Sequence, residues 1–133
     1  MEEGLLIASI ATTLGAATPV LIASVGELLS ERVGVYNFGI EGTMLLGALV
    51  GFTSANAAGS WVVGLMVAAL LGAVVSLVYA FAVVAARANS VVVGIAVWFI
   101  ALGLAGQLGK SQVRKQGESL IGDWNLPLLS DIP

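Results

Sequence analysis

The sequence predicts an all-α fold: a polytopic membrane helical bundle with about four membrane segments. Three observations predict it. Of the 133 residues, 59 % are hydrophobic and only 10 % are charged, with a mean hydropathy of +1.04. A soluble domain carries roughly 25 % charged residues to cover its surface. Residues 42–86 contain no charged side chain at all. The apolar run at residues 4–26 is 23 residues long, enough at about 1.5 Å per residue to cross a hydrocarbon layer about 30 Å thick.

The first segment covers residues 5–28. The chain opens on Met1, Glu2 and Glu3 rather than on positive charge, so this run reads as a retained span and not a secretory signal. Pro19 inside it frees a carbonyl and predicts a kink, with Ala16, Ala17 and Thr18 leaving room for a neighbour. The second segment covers residues 38–55. Its clean apolar part is short, and Thr53, Ser54 and Asn56 follow, which makes it a candidate for a broken or re-entrant helix. Asn37 is placed to cap it, with Glu41 in its first turn, where the helix dipole favours negative charge.

The third segment, residues 61–86, holds 26 uncharged residues. Gly64, Ala68, Gly72, Ser76 and Ala80 recur every fourth position and form a small-residue strip on one face. Close backbone approach along such a strip is a main source of helix association in lipid. Gly39, Gly42, Gly47, Gly51 and Gly94 are further packing candidates. Trp61 and Tyr79 are expected toward the membrane interfaces. The fourth segment covers residues 91–108, with Trp98 near its middle, either filling a gap between helices or lining a cavity. Two regions result: a membrane-embedded part at residues 1–109, and a polar or interfacial loop at 110–133. That loop holds Lys110, Arg114, Lys115, Glu118 and Asp123, has room for a short amphipathic element, and breaks off on Ile132 and Pro133.

Composition excludes several classes. Cysteine and histidine are absent, which removes disulfides, thiolate chemistry and the commonest general base and metal ligand. No GxxxxGK[ST] loop is present, so ATP hydrolysis is not expected in this chain. No basic tract points to nucleic acid. The sequence therefore reads as a non-enzyme with no catalytic residue, no metal site and no cofactor of its own. Chemistry is left to a few polar groups. Glu27, Glu31 and Arg32 read as a polar turn between helices, where exposed ion pairing contributes little. Glu41 has three readings: a solvated cap at the membrane surface, a structural partner for Arg32 or for freed amides, or a lining residue of a polar path. Gly39 and Gly42 beside Asn37 favour a helix end that exposes backbone, tolerated in membranes only within protein or beside water.

GELLSERVGVYNFGIEGTMLLGA at residues 26–48 resembles the SERxGVxNxGIEGxMLxGA signature of bacterial ABC-importer permeases of the branched-chain amino acid, ribose and nucleoside group. The Ser-Glu-Arg and Ile-Glu-Gly form is most like the nucleoside and simple-sugar permeases. RANSVVVGIA at 87–96 is similar to the family's RAxxVVxGxA stretch, and PLLSDIP at 127–133 to the loop before its later helices. One departure stands at Trp98, where that family commonly has a small polar residue such as Asn. The resemblance implies the N-terminal half of a permease about twice as long, in the bacterial plasma (inner) membrane, with Arg32 and Arg87 cytoplasmic.

It further implies a second permease subunit, a cytoplasmic ATP-binding subunit and an extracytoplasmic solute-binding protein as partners, with the lipid bilayer around them. On this reading Asn37, Glu41 and Trp98 are candidates for the substrate pathway or its gate, in an importer of nucleosides or simple sugars. The alternatives are a branched-chain amino acid permease and a small helical membrane scaffold that transports nothing.

Overall fold

The computed structural model describes residues 2–112. They form four α-helices and, among the described residues, no strand: α1 (Glu2–Arg32), α2 (Ile40–Ala58), α3 (Trp61–Ala80), which runs on into a π-helical turn (Phe81–Ala85), and α4 (Ser90–Gly109). Three stretches, Gly4–Arg32, Trp61–Ala85 and Ser90–Gly109, are long and apolar enough to cross a membrane. The fold is all-helical, as expected. Of the expected loop at 110–133, only residues 110–112 lie within the described part.

The second segment is not broken internally. Glu41, Thr43, Thr53, Ser54 and Asn56 dilute its hydropathy, yet α2 is one uninterrupted helix of 19 residues. At about 1.5 Å per residue it reaches about 28 Å, close to the hydrocarbon thickness. The irregular backbone lies ahead of it, where α1 ends. Gly34 takes φ +79°, Val35 N–H donates to the Ser30 carbonyl at 3.1 Å, and Gly34 N–H donates to the Glu31 carbonyl at 2.9 Å. These paired bonds with a left-handed glycine make a Schellman C-cap. The chain turns there because a residue without Cβ adopts that φ at little steric cost. Glu27, Glu31 and Arg32 therefore lie in the last turns of α1. The polar turn expected at these three is a helix end, and the connection proper follows Arg32.

α2 is the centre of the bundle. Gly42 faces α4, and nine residues on Gly51 faces α3. At 3.6 residues per turn, nine residues carry the side chain about 180° round the axis. The two neighbours accordingly sit on opposite sides of α2 and touch each other little. A methyl group added to Gly42 would come within 2.7 Å of Ala101 Cβ, and one added to Gly64 within 2.6 Å of the Gly51 carbonyl oxygen. Backbone packs on backbone at both crossings. This is how helices associate in lipid, where burial of large apolar side chains supplies no net drive. Consistently, Leu46, Tyr79 and Ala101 are the buried hydrophobic side chains among the described residues, and most of the large aliphatics face outward.

α1 stands largely apart. It touches α2 lightly, and none of its membrane-length window is buried. Its helix runs unbroken through Pro19. The hydroxyls of Thr12, Thr13, Thr18 and Ser24 donate to carbonyls four residues earlier at 2.7–2.8 Å. The helix so satisfies its own polar side chains, as an apolar environment requires.

Candidate functional site

The ends of α1 and α3 and the starts of α2 and α4 converge at one end of the bundle. Between them lies a cleft of about 390 Å³ lined by Glu27, Glu31, Tyr36, Asn37, Phe38, Ile40, Glu41, Ile95 and Trp98. All three pathway candidates from the sequence, Asn37, Glu41 and Trp98, border it. Glu27 and Glu31 join them, while Arg32 does not line it. The wall combines three carboxylates, one carboxamide and aromatic rings, a surface that offers hydrogen-bond acceptors beside flat apolar faces.

Local packing explains each position. Gly94 lets α4 press against the chain before α2: a methyl group there would stand 2.7 Å from the Phe38 backbone nitrogen. Gly39 meets the same contact from the other side: a methyl group added there would stand 3.0 Å from the Gly94 carbonyl oxygen. One turn further along α4, a methyl group added to Gly42 would stand 2.9 Å from the Trp98 Cα. With backbone held this close, the half-buried Trp98 side chain is left at the cleft.

Asn37 does not cap α2. The N-cap position is Gly39, without a side-chain hydrogen bond. Asn37 instead accepts from Gly39 N–H at 3.0 Å through its Oδ1, two residues on, the local turn that asparagine favours. The reason is register: α2 begins at Ile40, too far along for the Asn37 side chain to reach its first free amides. Glu41 does occupy the first turn of α2, exposed at the cleft. The carboxylate that holds backbone is Glu27, which accepts from Asn37 N–H at 2.7 Å.

The packing candidates divide. Gly39, Gly42, Gly51, Gly64, Ala68 and Gly94 sit at the α2–α4 and α2–α3 crossings, with Ala68 Cβ 3.2 Å from a methyl group added at Gly51. Gly47 and Gly72 face open space, and Ser76 and Ala80 are exposed. The strip on α3 thus meets α2 over its first half only.

Tyr79, expected toward a membrane interface, is 7 % exposed and sits inside the bundle end. Its hydroxyl lies 2.9 Å from the Tyr36 carbonyl oxygen and 3.2 Å from that of Ser90. The available signal was a polar-tipped ring late in an uncharged segment, since a buried tyrosine hydroxyl needs a partner.

The profile of the family described as branched-chain amino acid transport system / permease component matches residues 9–124. The chain belongs to this permease family. It is similar to a Haloferax volcanii protein provisionally named as a glucose ABC transporter permease, 38 % identical over 110 residues, covering 83 % of this chain and 32 % of that protein. It is also similar to a nucleoside ABC transporter permease of Lactococcus lactis, 36 % identical over 138 residues, covering 93 % and 42 % of the two chains. A guanosine ABC transporter permease of Bacillus subtilis is 36 % identical over 136 residues, covering 91 % and 41 %. The chain therefore spans less than half the length of these relatives. No solved structure matches it. Family membership and three membrane-length apolar helices make it a multi-pass plasma (inner) membrane protein.

Proposed function

We propose that this chain forms part of the solute pathway of an ABC importer for nucleosides or simple sugars. The match over residues 9–124 carries the transport reading. The cleft supports it: Asn37, Glu41 and Trp98 meet there, with acceptors able to bind hydroxyls and N–H groups and an aromatic face able to stack on a base or a sugar ring. The relatives named for nucleoside, guanosine and glucose favour this solute class over branched-chain amino acids. Transport further needs a second permease subunit, an ATP-binding subunit that hydrolyses ATP, and a solute-binding protein that delivers the ligand.

Glu41 tests the site. In a full-length permease carrying this segment and reconstituted with its partners, Glu41→Gln is expected to slow uptake at least about tenfold, the scale of a charged hydrogen bond. An unchanged rate would return Glu41 to a surface cap. Ligand screening of the partner binding protein tests the solute class, and leucine binding without nucleoside or sugar binding would reverse the choice.

A further inference from the structure

The Tyr36–Asn37 peptide is held from both sides. Its N–H donates to Glu27 Oε1 of α1 at 2.7 Å. Its C=O lies 2.9 Å from the Tyr79 hydroxyl of α3. A phenol has one proton to give, and its other acceptor in reach, the Ser90 carbonyl at 3.2 Å, sits in the first turn of α4. There the helix's own ladder supplies a donor. Tyr36 lies in irregular backbone, so its carbonyl has the greater call on the tyrosine proton.

That peptide opens the cleft wall. Tyr36, Asn37 and Phe38 are consecutive lining residues, and the Asn37 side chain turns back onto Gly39 N–H ahead of α2. α1 has little other contact with the bundle. The Glu27 bond thus ties α1 to the same peptide that Tyr79 ties to α3.

We infer that Glu27 and Tyr79 are positioning residues: they clamp the Tyr36–Asn37 peptide between α1 and α3, so that the orientation of α1 is transmitted to the cleft wall. Rotation of this peptide would break both bonds together, because its N–H and C=O are fixed to one plane. Either bond alone therefore stabilises the other. The mechanical role of the clamp rests on the reading of the cleft as the solute site; its existence does not.

The test uses the full 133-residue chain in lipid nanodiscs. Amide exchange at Asn37 and the carbonyl carbon resonance of Tyr36 are followed by NMR. Glu27→Ala removes the acceptor and should speed Asn37 exchange by at least about tenfold, with Glu27→Gln intermediate because its amide oxygen still accepts. The deciding measurements are crossed. Tyr79→Phe, which does not touch the amide proton, should speed Asn37 exchange by about threefold to tenfold. Glu27→Ala, which does not touch the carbonyl, should shift the Tyr36 resonance.

Protection at Leu46 in α2 serves as the folding control, and Glu27→Gln supplies the crossed measurement if Tyr79→Phe disturbs the fold. Absence of both crossed effects overturns the clamp. Uptake by the full-length permease then separates the two readings. Crossed effects with unaltered uptake would leave the clamp standing and remove the cleft from the pathway. Their absence together with an uptake defect in Glu41→Gln would do the reverse.

Discussion

Arg87 holds φ at +53°, the left-handed region, just after the π-helical turn that ends α3. A side chain with Cβ occupies that region at a cost of roughly 1–2 kcal/mol. The surroundings impose it. Ala86 N–H bonds to the Phe81 carbonyl and Ala88 N–H to the Ala82 carbonyl, both at 3.0 Å. Two residues later Asn89 Oδ1 accepts from Val91 and Val92 N–H, which starts α4. Arg87→Gly should therefore preserve the turn and leave the apparent Tm in detergent unchanged or raised. Arg87→Val, β-branched, should lower it by the equivalent of about 1 kcal/mol or more. A thermal scan of both variants checks this, and equal losses in the two would mean that the arginine side chain itself matters.

At the scale of elements, small residues decide which helices touch. Gly64 and Gly72 are two turns apart on the same face of α3 and identical in kind, yet their surroundings are opposite. A methyl group at Gly64 meets backbone at 2.6 Å, and one at Gly72 meets nothing within 4 Å. Gly64→Ala should destabilise the α2–α3 pair by about 1–3 kcal/mol through overpacking. Gly72→Ala should be neutral or stabilising by up to about 1 kcal/mol, because alanine is the better helix former. Denaturation in SDS followed by helical circular dichroism separates them. The four-residue spacing was legible in the sequence. How far the contact runs was not, because spacing defines a face but not the point at which two helices diverge.

At the scale of the molecule, α2 and α4 run in one direction with α3 returning between their ends, so both connections that flank the cleft lie on one side. The turn after α2 lies at the other end, closed by Gly59 at φ +63°. Native cysteine is absent, so single cysteines report topology cleanly. With an impermeant maleimide, Val33→Cys and Ala88→Cys should label from the same side and Ala58→Cys from the opposite one. Labelling of Val33→Cys and Ala58→Cys from one side and of Ala88→Cys from the other would make α2 re-entrant.

The all-α membrane class, the number of apolar segments and the kinship with permeases were readable from the chain alone, because they rest on charge depletion, segment length and one local signature. The candidates Asn37, Glu41 and Trp98 were readable as polar or bulky exceptions within that pattern. Tertiary structure decided the remainder. It turned the expected turn at Glu27, Glu31 and Arg32 into the end of α1. It moved the N-cap from Asn37 to Gly39, and it placed Glu27 and Tyr79 on one peptide between distant segments. The physical reason is range. Hydropathy and capping preferences act within a few residues, whereas the Tyr79 hydroxyl finds its partner 43 positions away, and no local rule of sequence specifies such a pairing.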